Sequence, residues 1–434
     1  MLPLLFEKVV MLPPLEDFTQ IILNETVVPN DLSVPDFRLH VRRLDVRWAM
    51  DKQQLEILGR ALPILQNLEH LCWNVWKLAW SGVQWHDTLV FIHQELPKLR
   101  SLSLIIAKNE IALGNSIKVV SLSKLRELEI DFSGTTLDRV GNQRELPNTL
   151  VELVRGASNI ESLSLSFEED NECSDHSLEM LDLFSALSPN HFPKLRKLST
   201  VSSFVPDNEG FQQFIRSHGK LQKIILNTGD YDPNWWDDSH SPPIQFTTQF
   251  VEELMPSIRH FGGPGCFVGP LLKSSLSSQL EILELIEPAS EKFGTVSKLL
   301  KEIGNYIIPE LPCLRGLKIS IGGDDEDEDE DDSKNWENVL GALCRVVNRM
   351  PLLEELIIDT SQEPSSDELD KLFELLGELP HLCRLAVPTR TRTRRDVPAR
   401  DELQDELRSL YECTKVCFPR LQIGSSSQLV SCLS

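Results

Sequence analysis

Side chains able to do acid–base, nucleophilic or metal chemistry are present in this chain, but they are scattered. Its ten histidines form no HExxH pair, no GxSxG elbow precedes them, and no paired metal-ligand spacing occurs. The glycine-rich stretch FGGPGCFVGP at 261–270 lacks the lysine of a phosphate-cradling GxxxxGK[ST] loop and the GxGxxG spacing. It reads as a loop. His86, beside Asp87, reads as a helix-start residue and not as a base. The expectation is a non-enzyme, with no catalytic, cofactor-binding or metal-binding residues.

Charge and aromatic recognition remain. An acidic run, Asp324 to Asp332 (DDEDEDEDD), follows a Gly-Gly pair. Arg390, Arg392, Arg394, Arg395 and Arg400 gather in a later loop. Both loops are expected to leave the same edge of the fold two repeats apart, where the acidic run could cover the basic patch. Trp48, Trp73, Trp76, Trp80 and Trp85 cluster early, with Trp73 at an inward strand position. Trp235 and Trp236 stand in NWWDDSHSPP, which reads as a long loop; an exposed aromatic pair there would be an interface anchor.

The elements that position these groups come from a repeat. The chain returns to one phrase: Leu, two variable residues, Leu, one variable residue, then an apolar alternation. It runs LQNLEHLCW, LPKLRSLSL, LSKLRELEI, ASNIESLSL, FPKLRKLST, HGKLQKIIL, SSQLEILEL, LPCLRGLKI, MPLLEELII and LPHLCRLAV, with VRRLDV earlier, a degraded copy MPSIRHFGG and a late FPRLQI. The alternation is the period of a strand with one buried face. Leu102 and Leu104 should point inward, with Arg100, Ser101 and Ser103 on the other side. Stretches such as WHDTLVFIHQE, TVSKLLKEIGNYI and SDELDKLFELLGE precede the phrases with helical periodicity; Ser366 and Asp367 are the candidate caps of the last.

Helix–turn–strand units in series give an α/β fold. The class expected is an irregular leucine-rich repeat solenoid, a horseshoe with parallel strands on the concave face and helices on the convex face. The Asn or Cys that ties short repeats together is matched only at Cys266, so stacked leucines and helices should hold the array. One solenoid is expected over 1–423. Within it, 1–40 form the first repeat and cap, 322–335 an acidic insertion, 389–400 a basic loop and 400–423 a C-terminal cap. Residues 424–434 form a flexible tail. The opening MLPLLFEKVVML reads as the first strand, packed against VRRLDV. Concave faces of solenoids are the usual binding surfaces. The candidates there are Arg100, Ser103, Arg126, Glu129, Asp131, Arg196, Lys197 and Lys318, joined by Trp235, Trp236, Arg392, Arg394 and Arg395 on loops.

The bulk numbers narrow the partners. With 41% hydrophobic and 25% charged residues, the composition is that of a folded soluble protein. The net charge of −23 opposes nucleic acid and anionic membrane surfaces. No apolar run reaches the roughly 20 residues of a membrane span. Nine cysteines, an odd number without a CxxC pair, read as buried free thiols of a reducing compartment, the cytoplasm or the nucleus.

The irregular LPxLRxLxL phrases, with helices between them, resemble the leucine-rich part of fungal F-box proteins. MLPLLFEKVVML, LEDFTQIILNE and FRLHVRRLDVRW are similar to that family's linker into its repeats. The resemblance implies a protein receptor, the substrate-recognition portion of a ubiquitin-ligase subunit. In it the repeats hold a substrate, and a Skp-type adaptor binds through an F-box, which is not recognisable ahead of Leu4. A free-standing repeat scaffold or regulator is the alternative. If the acidic run covers the basic loop, deleting 324–332 should raise binding of acidic peptides at low salt; unchanged binding removes the masking idea.

Overall fold

The computed structural model describes residues 7–11, 37–46, 58–74, 82–105, 121–132, 148–167, 183–187, 192–201, 209–227, 246–288, 295–305, 309–321, 334–360, 365–387 and 422–425. The Leu-x-x-Leu spacing has a simple local cause. The amide of the second leucine donates to the carbonyl of the first and closes a tight turn, at 3.2 Å in Leu99→Leu96, 2.9 Å in Leu125→Leu122 and 3.2 Å in Leu314→Leu311. The turn leaves both leucines buried, as Leu96, Leu99, Leu122 and Leu125 are. The residue after the second leucine then starts the strand with a shared hydrogen bond. Its carbonyl accepts two successive amides of the next repeat: Glu69 O takes Arg100 N at 2.8 Å and Ser101 N at 3.0 Å, and Arg315 O takes Glu354 N at 2.8 Å and Glu355 N at 2.9 Å.

The chain divides into two compact units, residues 1–221 with 229–232, and residues 222–228 with 233–434. In the first unit the strands are β1 (Lys8–Met11), β2 (Arg43–Val46), β3 (His70–Asn74), β4 (Ser101–Ile105), β5 (Glu127–Phe132), β6 (Ser162–Phe167) and β7 (Lys197–Val201). They lie side by side in sequence order, every pair parallel. The register places Leu44, Leu71, Leu102, Leu128, Leu163 and Leu198 in one inward row, all buried. Lys8–Met11 of the opening segment form β1 and pair with Arg43–Val46 of the VRRLDV phrase.

The second unit repeats the scheme with β8 (Lys223–Asn227), β9 (His260–Gly263), β10 (Ile282–Ile286), β11 (Gly316–Ile321), β12 (Glu355–Thr360), β13 (Arg384–Val387) and β14 (Gln422–Ser425). Here Phe261, Leu283, Leu317, Leu356 and Leu385 form the inward row. β14 extends two residues past 423, where the tail was expected to start. Both units belong to the α/β class, a leucine-rich-repeat-type solenoid with parallel strands in one layer and helices in the other.

The helices pack on the inward side of the strands. They include Gly82–Glu95 and Glu209–Ser217 in the first unit, and Val296–Asn305, Lys334–Val346 and Ser366–Leu376 in the second. Helix-face residues such as Leu299, Leu300 and Ile303 are buried, at about 1.5–3 kcal/mol for each fully covered aliphatic side chain. In the first unit Phe184 meets the rings of Phe211 at 5.1 Å and Phe214 at 5.0 Å between centroids.

Several expectations change. FGGPGCFVGP is not a loop: Gly265–Lys273 is an α-helix with Pro270 inside it. Burial of Phe267, Val268, Leu271 and Leu272 overrides the poor propensity of Gly and Pro. The cap of Ser366–Leu376 is Ser365, one residue earlier than expected. Its hydroxyl accepts from the Glu368 amide while Glu368 Oε2 takes the Ser365 amide at 2.7 Å, a capping box. Short side-chain tethers do join neighbouring turns, but from the residue before the second leucine. Asn67 Nδ2 donates to Leu39 O at 2.6 Å, Asn159 Nδ2 to Ser123 O at 3.0 Å and Gln279 Nε2 to Pro256 O at 3.0 Å. Of the five described cysteines only Cys266 is buried; Cys313 and Cys344 are exposed. Cys313 lies in a surface turn and Cys344 on the exposed side of the helix Lys334–Val346, so thiol burial was over-read.

Thr200 occupies an inward position of β7, opposite Leu165, with 0% exposure and no hydrogen-bond partner for its hydroxyl among the described residues. A buried unsatisfied hydroxyl costs about 1–3 kcal/mol. Thr200→Val, equal in shape, should therefore raise stability by about 1 kcal/mol, seen as a higher urea midpoint; a lower midpoint would show that the hydroxyl is satisfied.

Candidate functional site

Strand starts converge on a cleft of about 270 Å³ in the first unit. Its outer wall comes from the residues that carry the shared carbonyls or follow them: Glu69, Arg100, Arg126, Glu161 and Arg196. Its inner wall comes from the first strand positions His70, Glu127, Ser162 and Lys197. Each residue is one repeat from the next, about 4.8 Å along the sheet, and backbone bonds fix the register. The wall holds four cations against three carboxylates, with His70 besides, in a chain of net charge −23.

Four candidates from the sequence, Arg100, Arg126, Arg196 and Lys197, thus meet in one place. Their side chains are exposed. Arg126 pairs with Glu161 at 3.6 Å. Arg100, Arg196 and Lys197 have no ion pair among the described residues. Sequence reading missed the carboxylates Glu69, Glu127 and Glu161. The signal was available, because these residues stand at or next to the position after the second leucine of their phrases.

The remaining strand candidates lie on the helix-free face. Ser103 and Glu129 are paired neighbours at the middle of β4 and β5, and Asp131 is two residues further along β5. They lie outside the cleft lining. At the start of the same face Asp45 is fully buried, held by Arg43 Nε at 3.1 Å and Lys8 Nζ at 3.6 Å.

Lys318 belongs to a second cluster, in the second unit. Glu284 of β10 accepts a 2.6 Å hydrogen bond from His260 Nε2 on β9 and lies 4.0 Å from Lys318 Nζ on β11. Burial opposes the charge of Glu284. The His260 bond and the nearby charges of His260, Lys318 and Lys223 outweigh it and hold the carboxyl below its ordinary value. Gly262 is what admits this cluster: a Cβ there would come within 2.7 Å of Ile225 Cδ1 and 3.1 Å of Glu284 Cβ. Sequence reading found Lys318 but not His260 or Glu284, since only the register of β9, β10 and β11 brings them together.

Trp235, Trp236, Arg392, Arg394 and Arg395 lie outside the described residues, as do the acidic run 324–332, Arg390 and Arg400. Among the described residues, no group of three His, Cys, Asp or Glu could hold a metal ion, and no helix is long and apolar enough to cross a membrane.

Because the folded carboxyl of Glu284 is more acidic than the unfolded one, its stabilisation is complete above the ordinary carboxylate range. It is lost as pH falls through the lowered value. Glu284→Gln should flatten the acid limb of a plot of unfolding free energy against pH. An acid limb of unchanged slope would show that the cluster does not couple to folding.

No protein-family model matches the chain, and none of the curated proteins compared with it matches its sequence. Among solved structures it is similar to a chain in the crystal structure of the Rad7 and Elc1 complex in yeast. Identity is 13%, 88% of this chain and 78% of that chain are covered, and the TM-score is 0.40. The fold therefore stands on this chain's own register and packing.

Proposed function

We propose that this chain is a non-catalytic protein-binding receptor of the cytoplasm or nucleus. The observation that supports the reading most is the strand-start cleft of the first unit. Its charged side chains stand on backbone fixed by paired hydrogen bonds, and Arg100, Arg196 and Lys197 have no ion pair among the described residues. Rigid placement of unpartnered charge lowers the ordering cost of binding and favours selection among partners. The finer form of the proposal makes the chain the substrate-recognition portion of an F-box-like ubiquitin-ligase subunit, acting with a Skp-type adaptor. The resemblance of its phrases and of MLPLLFEKVVML to that family supports this form. The alternative is a repeat scaffold or regulator without a ligase connection.

A photocrosslinking amino acid in place of Ser162, in the cleft, should give discrete protein adducts in the cells that make the protein. The same group in place of Ser278, exposed in the second unit, should give none. Equal adducts at both positions would overturn the receptor site. Co-purification of a Skp-type adaptor with the chain, expressed with any upstream coding sequence, supports the ligase form; adducts without adaptor favour the scaffold.

A further inference from the structure

The residue that carries the shared carbonyl occupies the same place in every repeat, so its side chains form one row along the strand-start rim. In the second unit the charges of this row alternate and neutralise one another. Arg259 Nη1 pairs with Glu281 at 2.8 Å, and Arg315 Nη1 with Glu354 at 3.0 Å. In the first unit the row begins in the same alternation, with Glu7, Arg42, Glu69 and Arg100 joined in order through their backbones. Then it faults. Arg126 follows Arg100 directly, its amide on the Arg100 carbonyl at 2.7 Å.

Like charges opposite one another on adjacent strands destabilise a sheet. Alternation elsewhere in the row shows that the repeat accommodates a carboxylate at this position. Among the described residues Arg126 pairs with Glu161, and Arg100 has no ion pair. Further along the rim Arg196 and Lys197 add two more cations without described partners. All four line the cleft. A row that neutralises itself elsewhere is thus left cationic where the surface is concave.

We infer that the cleft takes an extended acidic segment of a partner protein, lying across the strand starts. This rests on the receptor reading above and specifies its ligand chemistry. One acidic side chain sits between Arg100 and Arg126, and a second at Arg196 and Lys197. From the β4 start to the β7 start is three strand steps, about 14 Å at 4.8 Å each, which an extended chain covers in roughly four residues. Glu161 stands between the two cationic positions, so the middle of the segment is neutral or basic. The ligand pattern is acidic at both ends and neutral or basic at the centre.

The test is fluorescence anisotropy of the whole chain with a fluorescein-labelled peptide, Glu-Glu-Ser-Gly-Glu-Glu, at low salt. Binding should weaken steeply as salt rises. Arg100→Gln should weaken it by roughly tenfold, about 1.4 kcal/mol. It should leave the melting temperature unchanged or slightly raised, because Arg100 has no carboxylate partner among the described residues and its charge stands beside that of Arg126. Arg259→Gln and Arg315→Gln, in the self-paired part of the row, should leave binding unchanged. No binding by the wild type, or equal losses for Arg100→Gln and Arg315→Gln, overturns the inference. If crosslinked adducts still form at Ser162 in that case, the receptor reading survives and only the acidic-segment ligand fails.

Discussion

The structure depends on one backbone arrangement: a carbonyl that accepts two amides of the following repeat. A solenoid strand begins where the chain leaves a turn, and the amides at that point would otherwise face the rim unpaired. Sharing one carbonyl satisfies both at once. It also sets the register, since the residue that offers the carbonyl must lie beside the residues that use it. In the first unit Glu7, Arg42, Glu69, Arg100, Arg126 and Glu161 each offer one, and in the second Gln222, Arg259, Glu281, Arg315 and Glu354 do the same. The leucines are then aligned by default, because Leu102, Leu128 and Leu163 are each two residues past a shared-carbonyl residue.

The same arrangement separates the roles of side chain and backbone. The rim residue is defined by its carbonyl, so its side chain is free to vary. Arginine, glutamate, glutamine and cysteine all occupy it; Cys383 sits there, its thiol donating to Glu354 O at 3.3 Å. Exposed ion pairs add little to stability. The charge sequence along the rim is therefore open to be set by what the rim meets, while the inward rows are fixed by packing. This is why the cleft of the first unit can hold adjacent arginines without disturbing the leucines beneath them.

The helix-free face is not uniform. In the first unit it carries small and acidic residues, such as Ser103, Ser164 and Glu129. In the second it holds the His260–Glu284–Lys318 cluster, then Ile357 and Ala386, which are 1% and 0% exposed. A face that alternation alone would assign to water is therefore partly closed. An expectation based on period two sees only that these positions point away from the helices, not what lies over them.

Much of the fold was legible in the sequence because a repeat states its rule many times. The Leu-x-x-Leu spacing gave the turn, the alternation gave the strand, and helical periodicity gave most of the helices. Local reading failed where burial competed with propensity, as in Gly265–Lys273, and where one residue decided a cap, as at Ser365. The site divides in the same way. Sequence marked Arg100, Arg126, Arg196 and Lys197 one by one, because each stands one or two places after a leucine that must be inward. Tertiary structure alone decided that they share a cleft, that Glu161 answers Arg126, and that Lys318 faces Glu284 and His260. Those relations lie between strands, and the connections that separate them in sequence vary in length, so only the backbone register brings them side by side.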